Sequence, residues 1–146
     1  MPTIHIIAVG KVKSGPIQAL CDEYIKRLSW HVVIKELPTT DAVQEQAALL
    51  AAIHPKYPLL ALDERGQSIT SPELSKWIQG RFTQGHNDLQ VIIGGADGLD
   101  DALRARADKI ISFGTATWPH MLVRVMILEQ LYRAETILAG HPYHRG

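Results

Sequence analysis

The amino-acid sequence predicts an α/β domain built on a largely parallel β-sheet. Short apolar runs rich in β-branched residues alternate along the chain with longer amphipathic segments, a pattern typical of β-α-β units. No internal repeat or low-complexity stretch interrupts this alternation. The length of 146 residues suits a single domain, and we expect that domain to span residues 1–146.

The first half of the chain predicts a strand, a helix, a second strand and a second helix. Runs of valine and isoleucine favour the strands, and apolar positions three and four residues apart favour the helices. A glycine or a proline closes most of these segments. The predicted segments are a strand over residues 3–9, a helix over 16–28, a strand over 32–37 and a helix over 42–53.

The second half continues the same order and contains a clear helix start. Thr70, Pro72 and Glu73 provide a hydroxyl cap, a proline in the first turn and the acidic partner of a capping box. The apolar strand before Gly94 runs directly into a glycine-rich loop. The predicted segments are a strand over residues 59–62 closed by a turn over 63–66, a helix beginning at Thr70, a strand over 89–93, a short helix from Asp100, a strand over 109–113 and a long helix over about 119–139.

Three loops leave the carboxyl ends of predicted strands, where ligands bind in parallel α/β sheets. They follow Leu62, Ile93 and Phe113. The loop over residues 94–98 holds three glycines in five positions, which lets backbone approach a ligand closely. It matches neither the Walker loop nor the dinucleotide fingerprint, and the nearby aspartates disfavour phosphate. A neutral or cationic ligand therefore suits this loop, and a plain tight turn is the alternative.

The last predicted helix carries Arg124 in the middle of an apolar arc. A buried guanidinium needs a carboxylate, backbone carbonyls or a ligand, because an unpaired buried charge is costly. A structural ion pair and a role in a functional site both remain open. Further apolar residues on the remaining face of this helix favour burial against a partner subunit.

Composition and residue counts exclude several classes of protein. Fifteen Lys and Arg balance fifteen Asp and Glu, which excludes binding of nucleic acid by bulk charge alone. A single cysteine, Cys21, excludes an internal disulfide and a four-cysteine zinc site. Neither a metal site nor a covalent hydrolase motif is indicated. No signal peptide or membrane span is expected, so we predict a cytoplasmic protein.

The C-terminal residues 140–146 combine two histidines, a tyrosine and an arginine after a helix-ending glycine. These side chains are able to stack on a base, contact phosphate or relay a proton. A frayed terminus is the alternative interpretation.

Four motifs in this order resemble a known family over the whole chain. They are Ile93-Gly94-Gly95-x-x-Gly98-Leu99, Thr117-x-Pro119-His120-x-Leu122-x-Arg124, Glu129-Gln130-Leu131-Tyr132-Arg133-Ala134 and Pro142-Tyr143-His144-Arg145. Together they resemble the small SPOUT-class methyltransferases that methylate N3 of a pseudouridine in bacterial 23S ribosomal RNA. Any one motif alone is much less specific.

The resemblance implies a homodimer that acts on 23S rRNA within the ribosome, a trefoil knot in the C-terminal half and S-adenosyl-L-methionine as cofactor. It implies no metal and no membrane. Carried over by position, the expected catalytic residues are Arg124, favouring an anionic base, and Tyr143 or His144, orienting or deprotonating that base. The expected cofactor contacts are Leu62, Gly94, Phe113, Gly114, Thr115, Ala116, Thr117 and Trp118.

Three other functions remain open from the sequence. A non-catalytic ribosome-binding module of the same fold would not bind the cofactor. A different α/β enzyme using the glycine loop would bind ATP or NAD. A methyltransferase of the same class with another RNA substrate is separated from the first prediction only weakly.

Overall fold

The computed structural model describes residues 1–144, so Arg145, the last residue of the fourth motif, lies outside the described residues together with Gly146. Strands and helices alternate throughout, as the sequence predicts. The elements are β1 (Thr3–Val9), α1 (Pro16–Arg27), β2 (His31–Leu37), α2 (Ala42–Ala52), β3 (Leu59–Ser68), α3 (Ser71–Thr83), β4 (Asp88–Ile93), α4 (Asp101–Arg106), β5 (Lys109–Ser112) and α5 (His120–Ala139).

The five strands form one parallel sheet in the order β2-β1-β4-β3-β5. The prediction of a parallel α/β sheet is confirmed. The connection from β4 through α4 to β5 passes over β3, which lies between those two strands. Because these strands are parallel, the carboxyl ends of β3, β4 and β5 lie at one edge of the sheet, where the three candidate loops begin.

Helices cover both faces of the sheet. One core cluster joins alternate strand residues such as Ile6 and Val91 to apolar residues of α1, α3 and α5. A second cluster joins the opposite set, including Ile7 and Ile92, to apolar residues of α2 and α4. Burial on both faces explains why the strands read as continuous apolar runs. Within residues 1–144, no helix has the length and apolar character needed to cross a membrane.

Helix starts follow the sequence signals closely. The Thr70 hydroxyl accepts a hydrogen bond from the Glu73 N–H, and the Glu73 carboxylate accepts one from the Thr70 N–H, which completes the capping box. Asp41 and Asp100 cap α2 and α4 by accepting from backbone N–H groups in the first turn. These capping side chains fix where the loops between strands and helices end.

Strand β3 is longer than predicted. The sequence suggests a turn over residues 63–66, but β3 continues to Ser68 and pairs again with β5. Leu62 and Gln67 both face Ile111, so residues 63–66 bulge from the ladder. A β-carbon at Gly66 would lie 2.7 Å from the Ile111 carbonyl carbon, so only glycine fits this approach. The bulge projects polar side chains at the sheet edge where a turn was expected.

Candidate active site

A cavity of about 710 Å³ lies at the carboxyl ends of β3, β4 and β5. Its volume falls within the usual range for pockets that hold a small molecule. Its walls come from the β3 bulge, the glycine loop after β4 and the loop between β5 and α5. The lining residues are Leu62–Arg65, Ile93–Leu99, Ile111–Gly114, Ala116–His120 and Val123.

Seven of the eight residues expected to contact a cofactor line this cavity, and Thr115 is the exception. They come from three loops that are distant in sequence. The fold places these loops around one cavity, whereas the sequence motifs gave only their order along the chain. Which of them contact a cofactor stays a prediction. The lining also includes Asp63, Glu64 and Arg65, which sequence reasoning assigned to a turn.

Close backbone packing requires glycine at the start of the glycine loop. A β-carbon at Gly94 would lie 2.5 Å from the Gly98 carbonyl oxygen and 2.9 Å from its carbon. The Gly98 N–H donates to the Gly95 carbonyl, and Gly98 has a φ of 71°, which closes the turn. The tight-turn interpretation and the ligand-binding one are thus compatible, since the turn forms a wall of the cavity.

Asp63 is the most buried charged group in the cavity wall, with 7% of its surface exposed. Its carboxylate accepts hydrogen bonds from the Arg65 N–H and guanidinium and pairs with Arg104 at 3.0 Å. Burial raises the pKa of Asp63, but the hydrogen bonds from Arg65 and Arg104 outweigh it and hold that pKa below its usual value. Arg65 also donates to the Leu99 carbonyl at 2.7 Å, which ties the β3 bulge to the glycine loop.

The loop between β5 and α5 is held by two hydrogen bonds at the cavity rim. The Thr117 hydroxyl donates to Glu64 at 2.9 Å, and the Trp118 indole N–H donates to the Phe113 carbonyl at 3.1 Å. Trp118 keeps 45% of its surface exposed although it lines the cavity. Glu64 and Asp97 add negative charge to the lining, while Arg65 is already engaged with Asp63. The rim therefore suits a ligand carrying positive charge.

Arg124 is buried outside the cavity lining, with 2% of its surface exposed, and forms an ion pair with an exposed carboxylate. Its guanidinium donates to the Glu36 carboxylate on β2 and, at 3.0 Å, to the Gly10 carbonyl after β1. The ion pair anticipated as one alternative is present, although its partner comes from β2. The catalytic assignment of Arg124 stays a prediction.

Tyr143 folds back onto α5 of its own chain. Its hydroxyl donates to Glu129 at 3.2 Å, and its ring packs against Tyr132 and beneath the Arg133 guanidinium. Burial and then the Glu129 charge raise the pKa of Tyr143 to about 12. His144 follows in a partly buried position, and neither residue lines the cavity of the same chain.

The described part of the chain contains no cluster of potential metal ligands. Within residues 1–144, no group of three or more His, Cys, Asp or Glu side chains could hold a metal ion. Cys21 is buried in the core cluster between the sheet and the helices.

A parallel α/β sheet with a glycine-walled cavity at the carboxyl ends of its strands defines the class of α/β domains that bind a small ligand at that edge. The family model described as "Predicted SPOUT methyltransferase" matches residues 2–144. The chain belongs to the SPOUT methyltransferase family.

Two relatives agree with this family, and a solved structure shares the fold. The chain is 46% identical over 150 residues to "Ribosomal RNA large subunit methyltransferase H" of Rhodospirillum centenum, covering 98% of this chain and 99% of the relative. It is 47% identical over 154 residues to the protein of the same name from Roseobacter denitrificans, covering 98% and 99%. The crystal structure of the SpoU methyltransferase AviRb from Streptomyces viridochromogenes superposes with a TM-score of 0.50 at 13% identity, covering 94% of this chain and 61% of that chain, which supports the fold.

Proposed function

We propose that this protein transfers a methyl group from S-adenosyl-L-methionine to N3 of a pseudouridine in large-subunit ribosomal RNA. The observation that carries the proposal is the cavity formed by three loops at the ends of β3, β4 and β5 in a chain of the SPOUT methyltransferase family. Near full-length relatives at 46% and 47% identity carry the name of a large-subunit ribosomal RNA methyltransferase.

The cavity fits the expected cofactor in size and charge. A volume of about 710 Å³ accommodates a nucleoside with an amino-acid tail. Glu64 and Asp97 in the lining favour a sulfonium over a phosphate. Gly94 is buried in the cavity wall, where it packs against Gly98, and Leu62, Phe113 and Trp118 supply apolar surface. We assign cofactor contacts to the eight residues expected from the resemblance, with Thr115 acting through the loop conformation.

The cofactor, when bound, supplies an electrophilic methyl group and leaves as the neutral thioether. Transfer would break the methyl–sulfur bond, form a methyl–N3 bond and release the N3 proton to a base or to water. The protein contributes alignment, since holding donor and acceptor in line removes much of the barrier. The rigid glycine turn and the hydrogen-bonded loop over residues 113–118 perform that alignment in this proposal.

We place the second half of the active site on a partner subunit. Helix α5 begins at the cavity with His120 and Val123, whereas Tyr143 contacts Glu129, about 9 Å further along the helix axis. The tail of one chain thus lies away from its own cavity. A homodimer would allow Tyr143 and His144 of one chain to approach the cavity of the other.

The roles that we propose for Tyr143 and His144 follow from the ionisation state of the tyrosine. A tyrosine with a pKa of about 12 is neutral at physiological pH, and its proton is donated to Glu129, so its hydroxyl oxygen orients the base by accepting a hydrogen bond. His144 then takes the role of assisting proton removal. We propose that the buried Arg124 contributes from its ion pair with Glu36, and that the trefoil knot supports the cavity loops. The balanced net charge suits recognition of an assembled ribosome surface in the cytoplasm.

The test is transfer of label from methyl-labelled S-adenosyl-L-methionine by the purified protein. Ribosomes from a strain lacking such an activity and free large-subunit rRNA serve as parallel substrates. We expect label on large-subunit rRNA of whole ribosomes. Cofactor binding without label on either substrate would indicate another RNA. Neither label nor cofactor binding would favour the non-catalytic ribosome-binding module.

A further inference from the structure

The loop after β1 is held by groups from two elements, β2 and α5. The Gly10 N–H donates to the Leu37 carbonyl at 2.8 Å, and the Gly10 carbonyl accepts from Arg124. Two residues further on, the Val12 N–H donates to the Glu36 carboxylate at 2.8 Å. The same Glu36 oxygen, Oε2, accepts from Arg124. The ion pair of buried Arg124 with exposed Glu36 therefore holds Gly10 and Val12, on either side of Lys11, and Lys13 follows directly.

This segment lies beside the proposed cofactor cavity. A β-carbon at Gly10 would lie 2.9 Å from Met121 Cε and 3.5 Å from His120 Nε2, and His120 lines the cavity. Strand β1 is the neighbour of β4, whose end carries the glycine loop. The Gly10 segment and the cavity thus share one edge of the sheet.

The segment presents positive charge to solvent. Lys11 and Lys13 are both exposed, and residues 10–15 contain no acidic side chain. A nearby acid is Glu36, whose carboxylate forms an ion pair with Arg124. Burial raises the pKa of Glu36, but hydrogen bonds from Val12 and Arg124 and the charge of Lys11 outweigh it, so the carboxylate stays ionised at neutral pH. Lys11 interacts with the Glu36 charge, but within residues 1–144 neither Lys11 nor Lys13 forms an ion pair, so both ammonium groups can contact an external anion.

We propose that the segment Gly10–Lys13 contacts the phosphate backbone of the RNA substrate, and that Glu36 and Arg124 are positioning residues that hold it there. This inference rests on the proposed function, because it assumes that an RNA strand approaches the cavity. It gives the buried Arg124 a role that needs no contact with the reacting base. Phosphate contacts position a nucleic acid without reading its sequence, so the segment sets register at the site.

The double variant Lys11→Gln/Lys13→Gln tests the contact. With single-stranded RNA, each lost phosphate contact lowers the slope of log K against log salt by about 0.7, which at 0.1 M salt is about fivefold in affinity per contact. We expect RNA binding about 25-fold weaker and a correspondingly higher KM for RNA, with kcat and the Kd for S-adenosyl-L-methionine unchanged. Lys76→Gln, which removes an exposed lysine of α3, is the matched control and should change none of these.

The variant Glu36→Gln tests whether Glu36 positions the segment Gly10–Lys13, because the two explanations predict opposite changes in RNA affinity. Removing a negative charge beside two lysines should strengthen RNA binding if only net charge matters. If Glu36 holds the segment in place, RNA binding weakens although the protein becomes more positive. Urea unfolding of each variant separates this outcome from loss of fold.

RNA binding and methyl transfer are both measured on the full chain with ribosomal RNA. Filter retention measures binding, and incorporation of the labelled methyl group measures transfer. Wild-type binding without methyl transfer, with the lysine effect present, would refute the proposed function and support the contact. Methyl transfer with unchanged KM and salt slope in the double variant would refute the contact. Tighter RNA binding by Glu36→Gln would refute the positioning role. A wild-type protein that neither binds nor methylates RNA would overturn both.

Discussion

Adding one methyl group at the start of the glycine loop should destabilise the protein. In Gly94→Ala the new β-carbon would lie 2.5 Å from the Gly98 carbonyl oxygen and 3.1 Å from Leu99 Cδ2. The nearest atoms belong to backbone, so relief requires the turn itself to move. Overpacking of this kind costs about 1–3 kcal/mol. A loss of 2 kcal/mol lowers the melting temperature of a chain of this size by roughly 4–8 °C.

Urea unfolding at fixed protein concentration measures this effect, with Gly80→Ala as the control. A β-carbon at Gly80 has no neighbour within 4 Å, and Gly80 lies within α3. Alanine there should therefore raise the free energy of unfolding by about 0.5–1 kcal/mol. We also expect Gly94→Ala to weaken S-adenosyl-L-methionine binding, since the displaced turn is a wall of the cavity. Wild-type stability in Gly94→Ala would refute the assignment of this turn as a close-packed wall.

Three further predictions follow from hydrogen bonds in the structure. Thr70→Ala removes the capping box of α3 and should lower the free energy of unfolding by about 1 kcal/mol in urea, whereas an unchanged midpoint would contradict the cap. Because the pKa of Asp63 is lowered on folding, its stabilising contribution is complete above about pH 4 and is lost as pH falls further. Asp63→Asn should therefore weaken the dependence of the free energy of unfolding on pH below about pH 4, and an unaltered dependence would refute the ion-pair account. Tyr143→Phe should lower kcat without shifting the pH–rate profile between about pH 7 and 9, because a phenol with a pKa of about 12 does not ionise in that range; a shifted alkaline limb would assign proton removal to Tyr143.

Local sequence signals predicted the elements well because they act over a few residues. The Thr70–Glu73 box and the aspartate caps mark helix starts through contacts three residues apart, which the sequence displays directly. The continuation of β3 beyond Leu62 depends instead on pairing with β5, more than forty residues later. The segment Asp63–Gly66 predicted a turn because aspartate and glycine are common in turns. Tertiary pairing overrides that local preference.

In the candidate site, too, the features set by local sequence were predictable and those set by tertiary contacts were not. The carboxyl-edge rule located the three loops, and the structure joins them around one cavity. The partner of Arg124 was not predictable, since Glu36 lies 88 residues away, on strand β2. Periodicity within α5 showed that Arg124 needed a partner but gave no information on which element supplied it. The Arg65–Asp63–Arg104 network was missed for the same reason, although an aspartate directly after a buried strand was an available signal.

The identity of the methylated nucleoside tests the central claim most directly. Large-subunit rRNA treated with the purified protein and labelled S-adenosyl-L-methionine would be digested to nucleosides and analysed by mass spectrometry. The account predicts a single labelled species, pseudouridine carrying the methyl group on N3, formed by wild type and reduced in Gly94→Ala. Label on a different nucleoside, or on the ribose, would contradict the proposed reaction.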